Sequence, residues 1–176
     1  MSYLKEIPPE QAEGARAELF RLVEEKIGYV PNAFKMLAVS ETVARNQLEF
    51  IGWSQSHPSL SPKFSAILRL LVSREKACSY CIDANTAILQ NHFSMTSEQI
   101  EALKQNPGDA PLDEREKALL VFVLDAVENS LGVTSADIEA LRELGWSDAE
   151  ILEALYQGAH QVAVDILFNA FNVQGN

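Results

Sequence analysis

Leu60-Ser61-Pro62-Lys63-Phe64-Ser65-Ala66-Ile67-Leu68-Arg69-Leu70-Leu71-Val72, followed after five residues by Cys78-Ser79-Tyr80-Cys81, is the stretch on which the fold turns. Ser61-Pro62 has the chemistry of a helix start, because proline fixes φ for the first turn and its missing N–H is not needed there. The apolar side chains of Ile67, Leu68, Leu70, Leu71 and Val72 then mark a strongly apolar helix. Lys76-Ala77 interrupts that pattern. Ile82, Ala84, Ala87, Ile88 and Leu89 resume it, so the two cysteines are predicted to open a second helix.

The same periodicity extends outward in both directions, and no alternating run suggests a strand. Pro8-Pro9 predicts the start of a first helix that runs to Ile27 and ends at Gly28. Tyr29-Val30-Pro31-Asn32 reads as a turn before a short helix holding Phe34, Met36 and Leu37. A further helix carries Val43, Leu48, Phe50 and Trp53 and stops near His57-Pro58. Downstream, Thr96 with Gln99 and Ser147 with Glu150 have the spacing of capping boxes. Met95 with Ile100 and Trp146 with Ile151 are placed as their hydrophobic staples. Thr134 and Asp113 are simpler N-cap candidates. Residues 96–104 also echo residues 134–142, which supports two similar helical hairpins. Asn106-Pro107-Gly108-Asp109 is read as a loop inside one domain. The expectation is an all-α helical bundle, a single domain over 1–176.

Bulk composition narrows the function. The chain has 176 residues, 47% of them hydrophobic, enough for a proper core. Its net charge is −11, from 25 acidic and 14 basic residues. Such a surface repels phosphate, so neither nucleic acid nor an anionic membrane is expected as a partner. The start of the sequence lacks the pattern of a signal peptide, and the run from Ala163 to Phe171 is broken by Asp165 and Asn169. A cytoplasmic location is the default expectation. With only two cysteines, a disulfide-stapled scaffold is excluded, and a C-x-x-C pair in a reducing compartment reads as reactive.

Spacing of three places the two sulfurs on one helical face. Free N–H groups and the positive dipole end of a helix start stabilise a thiolate, and Arg74 and Lys76 add charge nearby. A lowered thiol pKa favours exchange through a mixed disulfide that the second cysteine resolves. Zinc is disfavoured, because His57, His92 and His160 lack ligand spacing relative to the pair. No metal or other cofactor is expected. Two inert buried cysteines remain an open alternative.

In this setting the sequence resembles the carboxymuconolactone decarboxylase family, specifically its alkylhydroperoxidase D-like branch. The resemblance rests on Leu60-Ser61-Pro62-Lys63, the apolar helix to Val72 and Cys78-Ser79-Tyr80-Cys81. It continues through Ser94-Met95-Thr96, Asp113-Glu114-Arg115-Glu116-Lys117-Ala118-Leu119-Leu120, Ser147-Asp148-Ala149-Glu150-Ile151 and Asn169-Ala170-Phe171-Asn172-Val173. It implies an all-helical fold, assembly as a homo-oligomer (trimer or hexamer), and activity as a disulfide reductase, peroxidase or peroxiredoxin adaptor. The substrate would be a disulfide or hydroperoxide, and the electron donor a dithiol or protein reductant.

Redox-active members of that family carry a histidine four residues after the second cysteine, where this chain has Asn85. They also carry a glutamate about three turns before the first, where it has Ala66. Asn85 shares the cysteine face and offers a hydrogen bond to the sulfurs, but an amide is no general base. Glu75 is a candidate base, with a surface ion pair to Arg74 or Lys76 as its alternative role. Tyr80 is a candidate hydrogen-bond donor to a thiolate, or a packing residue. Cys78, nearer the exposed end of the helix, is the expected nucleophile for exchange with an outside disulfide. Two other readings remain: a non-catalytic redox sensor or binding module, and a non-redox lactone decarboxylase.

Overall fold

The computed structural model describes residues 2–175 and is helical throughout, with no strand among them. Its α-helices are α1 (Gly14–Ile27), α2 (Asn32–Leu37), α3 (Glu41–Gln55), α4 (Pro62–Glu75), α5 (Ser79–Phe93), α6 (Ser97–Gln105), α7 (Glu114–Glu128), α8 (Ser135–Glu143) and α9 (Asp148–Ala170). Contacts group the chain into two compact units. One joins the segment up to Trp53 with the segment from Leu167, and the other is Ser54–Ile166.

In the first unit, α1 buries Leu19, Phe20 and Val23, and α2 buries Ala33, Phe34, Met36 and Leu37. Arg16 ties α1 to the end of α2 by donating from Nε to the Ala38 carbonyl at 2.7 Å. Gly28 closes α1 at φ 91°, a left-handed position that glycine occupies without strain. The start of α1 differs from the sequence expectation. Pro9–Gln11 forms only a short 3-10 turn, and Ala12 is extended. Gly14 then takes φ 58°, so helical geometry cannot run through from the prolines.

The second unit holds the main core. Phe64, Ala66, Ile67, Leu68, Leu70, Leu71 and Val72 of α4 are all buried, as a central helix requires. α5 packs along α4. Ser61 caps α4, accepting from the Phe64 N–H at 3.0 Å, and Glu116 of α7 accepts the Ser61 N–H at 3.1 Å. The predicted caps are in place. Thr96 and Gln99 exchange both capping-box bonds. Ser147 and Glu150 do the same, and the staple residues Met95, Ile100, Trp146 and Ile151 are buried. Asp113 accepts the Glu116 N–H at 2.7 Å, and Asp137 accepts from the Thr134 N–H at 2.8 Å. The two echoing segments are therefore the short helices α6 and α8, each followed by a longer one.

Candidate functional site

The link from α4 to α5 sets the position of the first cysteine. Ala77 adopts φ 52°, its N–H bonds to the Arg74 carbonyl, and the Cys78 N–H bonds to the Ser73 carbonyl at 3.0 Å. This is a Schellman motif. Cys78 occupies the position whose side chain habitually folds back onto the helix just ended. Cys78 is at once the N-cap of α5, and Cys81 lies in its first turn. The predicted helix-start location is therefore correct.

The predicted exposure is not. Cys78 is 1% exposed and Cys81 4%, whereas Ala77 and Ser79 on either side are open to solvent. The Schellman turn is the cause, since it rotates Cys78 inward. Both thiols are free. They do not face a purely apolar core: both sulfurs and a carboxylate oxygen of Asp165 lie within 4.8 Å of one another.

Asp165 belongs to α9 and is fully buried, at 0% exposure. Its Oδ1 accepts from the Ser73 hydroxyl and from Gln161 Nε2, each at 2.9 Å. Gln161 Nε2 also donates to Ser73 Oγ at 3.1 Å, closing a triangle of buried polar groups. Oδ2 makes no hydrogen bond of ordinary geometry. One and two turns before Asp165, Gln161 and Gln157 are also buried, so a polar stripe runs along the inner face of α9. A further polar link joins α4 to α5 beside Cys81. Arg69 Nε donates to Asn85 Oδ1 at 3.0 Å, and Asn85 Nδ2 donates to the Cys81 carbonyl at 2.8 Å.

These contacts set the proton affinities. The Cys78 thiol is lowered, chiefly by hydrogen bonding from the Cys81 side chain and, against the cost of burial, from the Cys81 backbone. Cys81 is raised by the same bond to Cys78, by burial and by the charge of Asp165. Burial pushes the Asp165 carboxyl up, while hydrogen bonds from Cys81, Gln161, Ser73 and Cys78 pull the other way. Burial brings Arg69 down to about 10, and attraction to Cys81 opposes that. Of the two thiols, Cys78 thus gives up its proton the more readily, and Cys81 holds on to its own.

Other sequence candidates fall in different places. Glu75 is ion-paired with Arg74 at the surface, its bland alternative. Arg74 is consequently engaged away from the sulfurs, and Arg69 is the cation that interacts with Cys81. Asn85 shares the site, but its hydrogen bonds run to Arg69 and a backbone carbonyl, not to a sulfur. Tyr80 is half-buried in the first turn of α5. His57 faces Glu153 at 3.0 Å, His92 is exposed near the end of α5, and His160 lies beside Tyr156. None joins the cysteines. Cys78, Cys81 and Asp165 are the one convergent set of metal-type donors among the described residues. Three donors fall short of the four of a closed zinc site.

The all-helical architecture is that of the alkylhydroperoxidase D-like fold, as comparison with solved structures shows. An uncharacterized peroxidase-related protein from Ralstonia eutropha JMP134, described as an alkylhydroperoxidase AhpD core, matches with a TM-score of 0.86 and 23% identity, over 99% of this chain and 92% of its own. A second uncharacterized peroxidase-related protein, from Silicibacter sp. TM1040, matches with a TM-score of 0.83 and 24% identity over the same shares. A debrominase shares the fold at a TM-score of 0.77 and 15% identity, over 99% of this chain and 92% of its own. No protein-family model and no curated protein matches the sequence. The chain has the alkylhydroperoxidase D-like fold.

Proposed function

We propose that the protein is a peroxidase-related dithiol oxidoreductase in which Cys78 attacks and Cys81 resolves. The observation that carries this reading is a pair of free thiols sharing a buried polar nook at a helix start, with Cys78 the more acidic of the two. In exchange, the Cys78 thiolate attacks one sulfur of a substrate disulfide, whose partner thiol departs. Cys81 then attacks Cys78, releasing the second thiol and closing the Cys78–Cys81 bridge. With a hydroperoxide, Cys78 is oxidised to a sulfenic acid as the alcohol leaves, and Cys81 displaces water. A dithiol or protein reductant restores the pair by the reverse exchange. The cytoplasm, as a reducing compartment, would keep the resting pair reduced.

Burial of both sulfurs favours a second reading, a redox sensor that reacts once and changes its assembly. Catalytic amounts of the protein, given a small dithiol and a generic disulfide, decide between the two. Repeated turnover is expected, and a single stoichiometric oxidation would leave the sensor. Among the described residues no helix is long and apolar enough to cross a membrane. The exposed apolar residues Leu152, Tyr156 and Ile166 of α9 support self-association into the expected homo-oligomer. Light scattering should report a particle larger than one chain, and a monomer removes that part of the proposal.

A further inference from the structure

We propose that Asp165 is the proton carrier of the cysteine pair, accepting the proton of each thiol as it attacks and returning it to the group that leaves. The inference rests on the dithiol reading above and adds a residue from a third helix to it. A buried carboxylate is costly unless its charge is used or compensated. At Asp165 the compensation is one-sided. Oδ1 has two donors, Ser73 and Gln161, which hold the side chain in one orientation. Oδ2 has no donor at ordinary hydrogen-bond geometry, which leaves the two sulfurs, both within 4.8 Å of a carboxylate oxygen, as the groups that approach it.

The remaining neighbours cannot do this work. Ala66 has no polar side-chain atom, and the Asn85 amide does not titrate. The charged or titratable groups facing the cluster are the two thiols of α5 and, beyond Cys81, the Arg69 guanidinium of α4. Arg69 remains a cation, so it holds charge and does not exchange protons at neutral pH. Asp165 is left as the group able to take a proton and give it back.

Position lets one carboxylate serve both halves of the reaction. In the first, the Cys78 proton passes to Asp165, the thiolate attacks the substrate disulfide, the S–S bond breaks, and the departing thiolate takes the proton from Asp165. In the second, Asp165 receives the Cys81 proton, Cys81 attacks Cys78, and the second substrate thiolate leaves with that proton. Two substrate sulfurs are reduced, two protein sulfurs are oxidised, and Asp165 ends as it began.

The test is the single-turnover rate of Cys78–Cys81 bridge formation, with hydroxyethyl disulfide as oxidant, from about pH 5 to pH 9. In the wild-type chain the rate is expected to rise to a plateau as the cluster ionises. Asp165→Asn keeps an oxygen for Ser73 and Gln161 but cannot carry the proton. It should react roughly 100-fold more slowly near neutrality and climb with pH without that plateau. Ser73→Ala leaves Asp165 in place but removes a donor to the carboxylate, which raises its proton affinity. The plateau should survive, with its midpoint moved up by about one pH unit. An Asp165→Asn variant with the wild-type rate and profile overturns the assignment. So does an unmoved midpoint in Ser73→Ala, which decides the matter if the first variant fails to fold. A wild-type chain that forms no bridge removes the underlying dithiol reading and this inference with it.

Discussion

Cys78→Ser is expected to abolish turnover, while Cys81→Ser should stop the same reaction one step later. The asymmetry follows from the geometry. Cys78 caps α5, its thiol is lowered by the side chain and backbone N–H of Cys81, and it is the more acidic of the pair. A serine there leaves only Cys81, whose proton affinity is raised. With Cys81 replaced, Cys78 still attacks an outside disulfide, but no second thiol closes the bridge. A mixed disulfide on Cys78 should therefore accumulate to one per chain, visible as an adduct by intact-mass measurement. An adduct on Cys81 in the Cys78→Ser variant, with none on Cys78 in the other, would reverse the roles. Burial adds a kinetic expectation: attack waits on local opening of the Ala77–Cys78 turn, whose left-handed alanine is a strained element.

The second large effect concerns the helix that carries Asp165. Gly158 of α9 lies where a Cβ would come 2.6 Å from Val123 Cγ1 and 3.1 Å from Val127 Cγ2 of α7. Gly158→Ala therefore forces α7 and α9 apart or drives the valines off their rotamers. Overpacking of this kind costs about 1–3 kcal/mol. The better helix propensity of alanine returns up to about 1 kcal/mol, so the clash prevails. For a chain of this length, a net loss of 1–2 kcal/mol should lower the Tm by roughly 2–8 °C. Val123→Ala opens the same spot from the other side. The double variant should thus be more stable than the sum of the two single losses by at least about 0.5 kcal/mol. Strict additivity in thermal melts would mean that the two helices do not meet at Gly158.

The parts of this structure legible in the sequence are those that local chemistry decides. Thr96 with Gln99 and Ser147 with Glu150 form their capping boxes because each bond spans only three residues. The apolar side chains from Ile67 to Val72 marked a strongly apolar helix, and the break at Lys76-Ala77 placed the cysteine pair at the start of the next one. Two local readings failed for identifiable reasons. Pro8-Pro9 looks like a helix start, but the positive φ of Gly14 prevents continuation. Cys78 looks exposed from its place at a helix end, but the Schellman turn rotates it inward.

The rest of the site was hidden because it is assembled from three helices. Asp165 follows Ser73 by 92 residues, and Gln161 follows it by 88, so no spacing rule links them. Each left a trace all the same. Asp165 interrupts the apolar run from Ala163 to Phe171, and Arg69 stands between Leu68 and Leu70. A charge on an otherwise buried helix is costly enough to be read as a functional candidate. What sequence could not supply was the knowledge that Asp165 meets both sulfurs and that Arg69 interacts with one of them, Cys81.

The most direct test of the central claim is the intact mass of the reduced protein after one equivalent of a mild disulfide oxidant. A dithiol site predicts the loss of two hydrogen atoms, no retained adduct, a peptide map linking Cys78 to Cys81, and full recovery with a small dithiol. Unchanged mass with both thiols still free, under conditions where the chain remains folded, would contradict it.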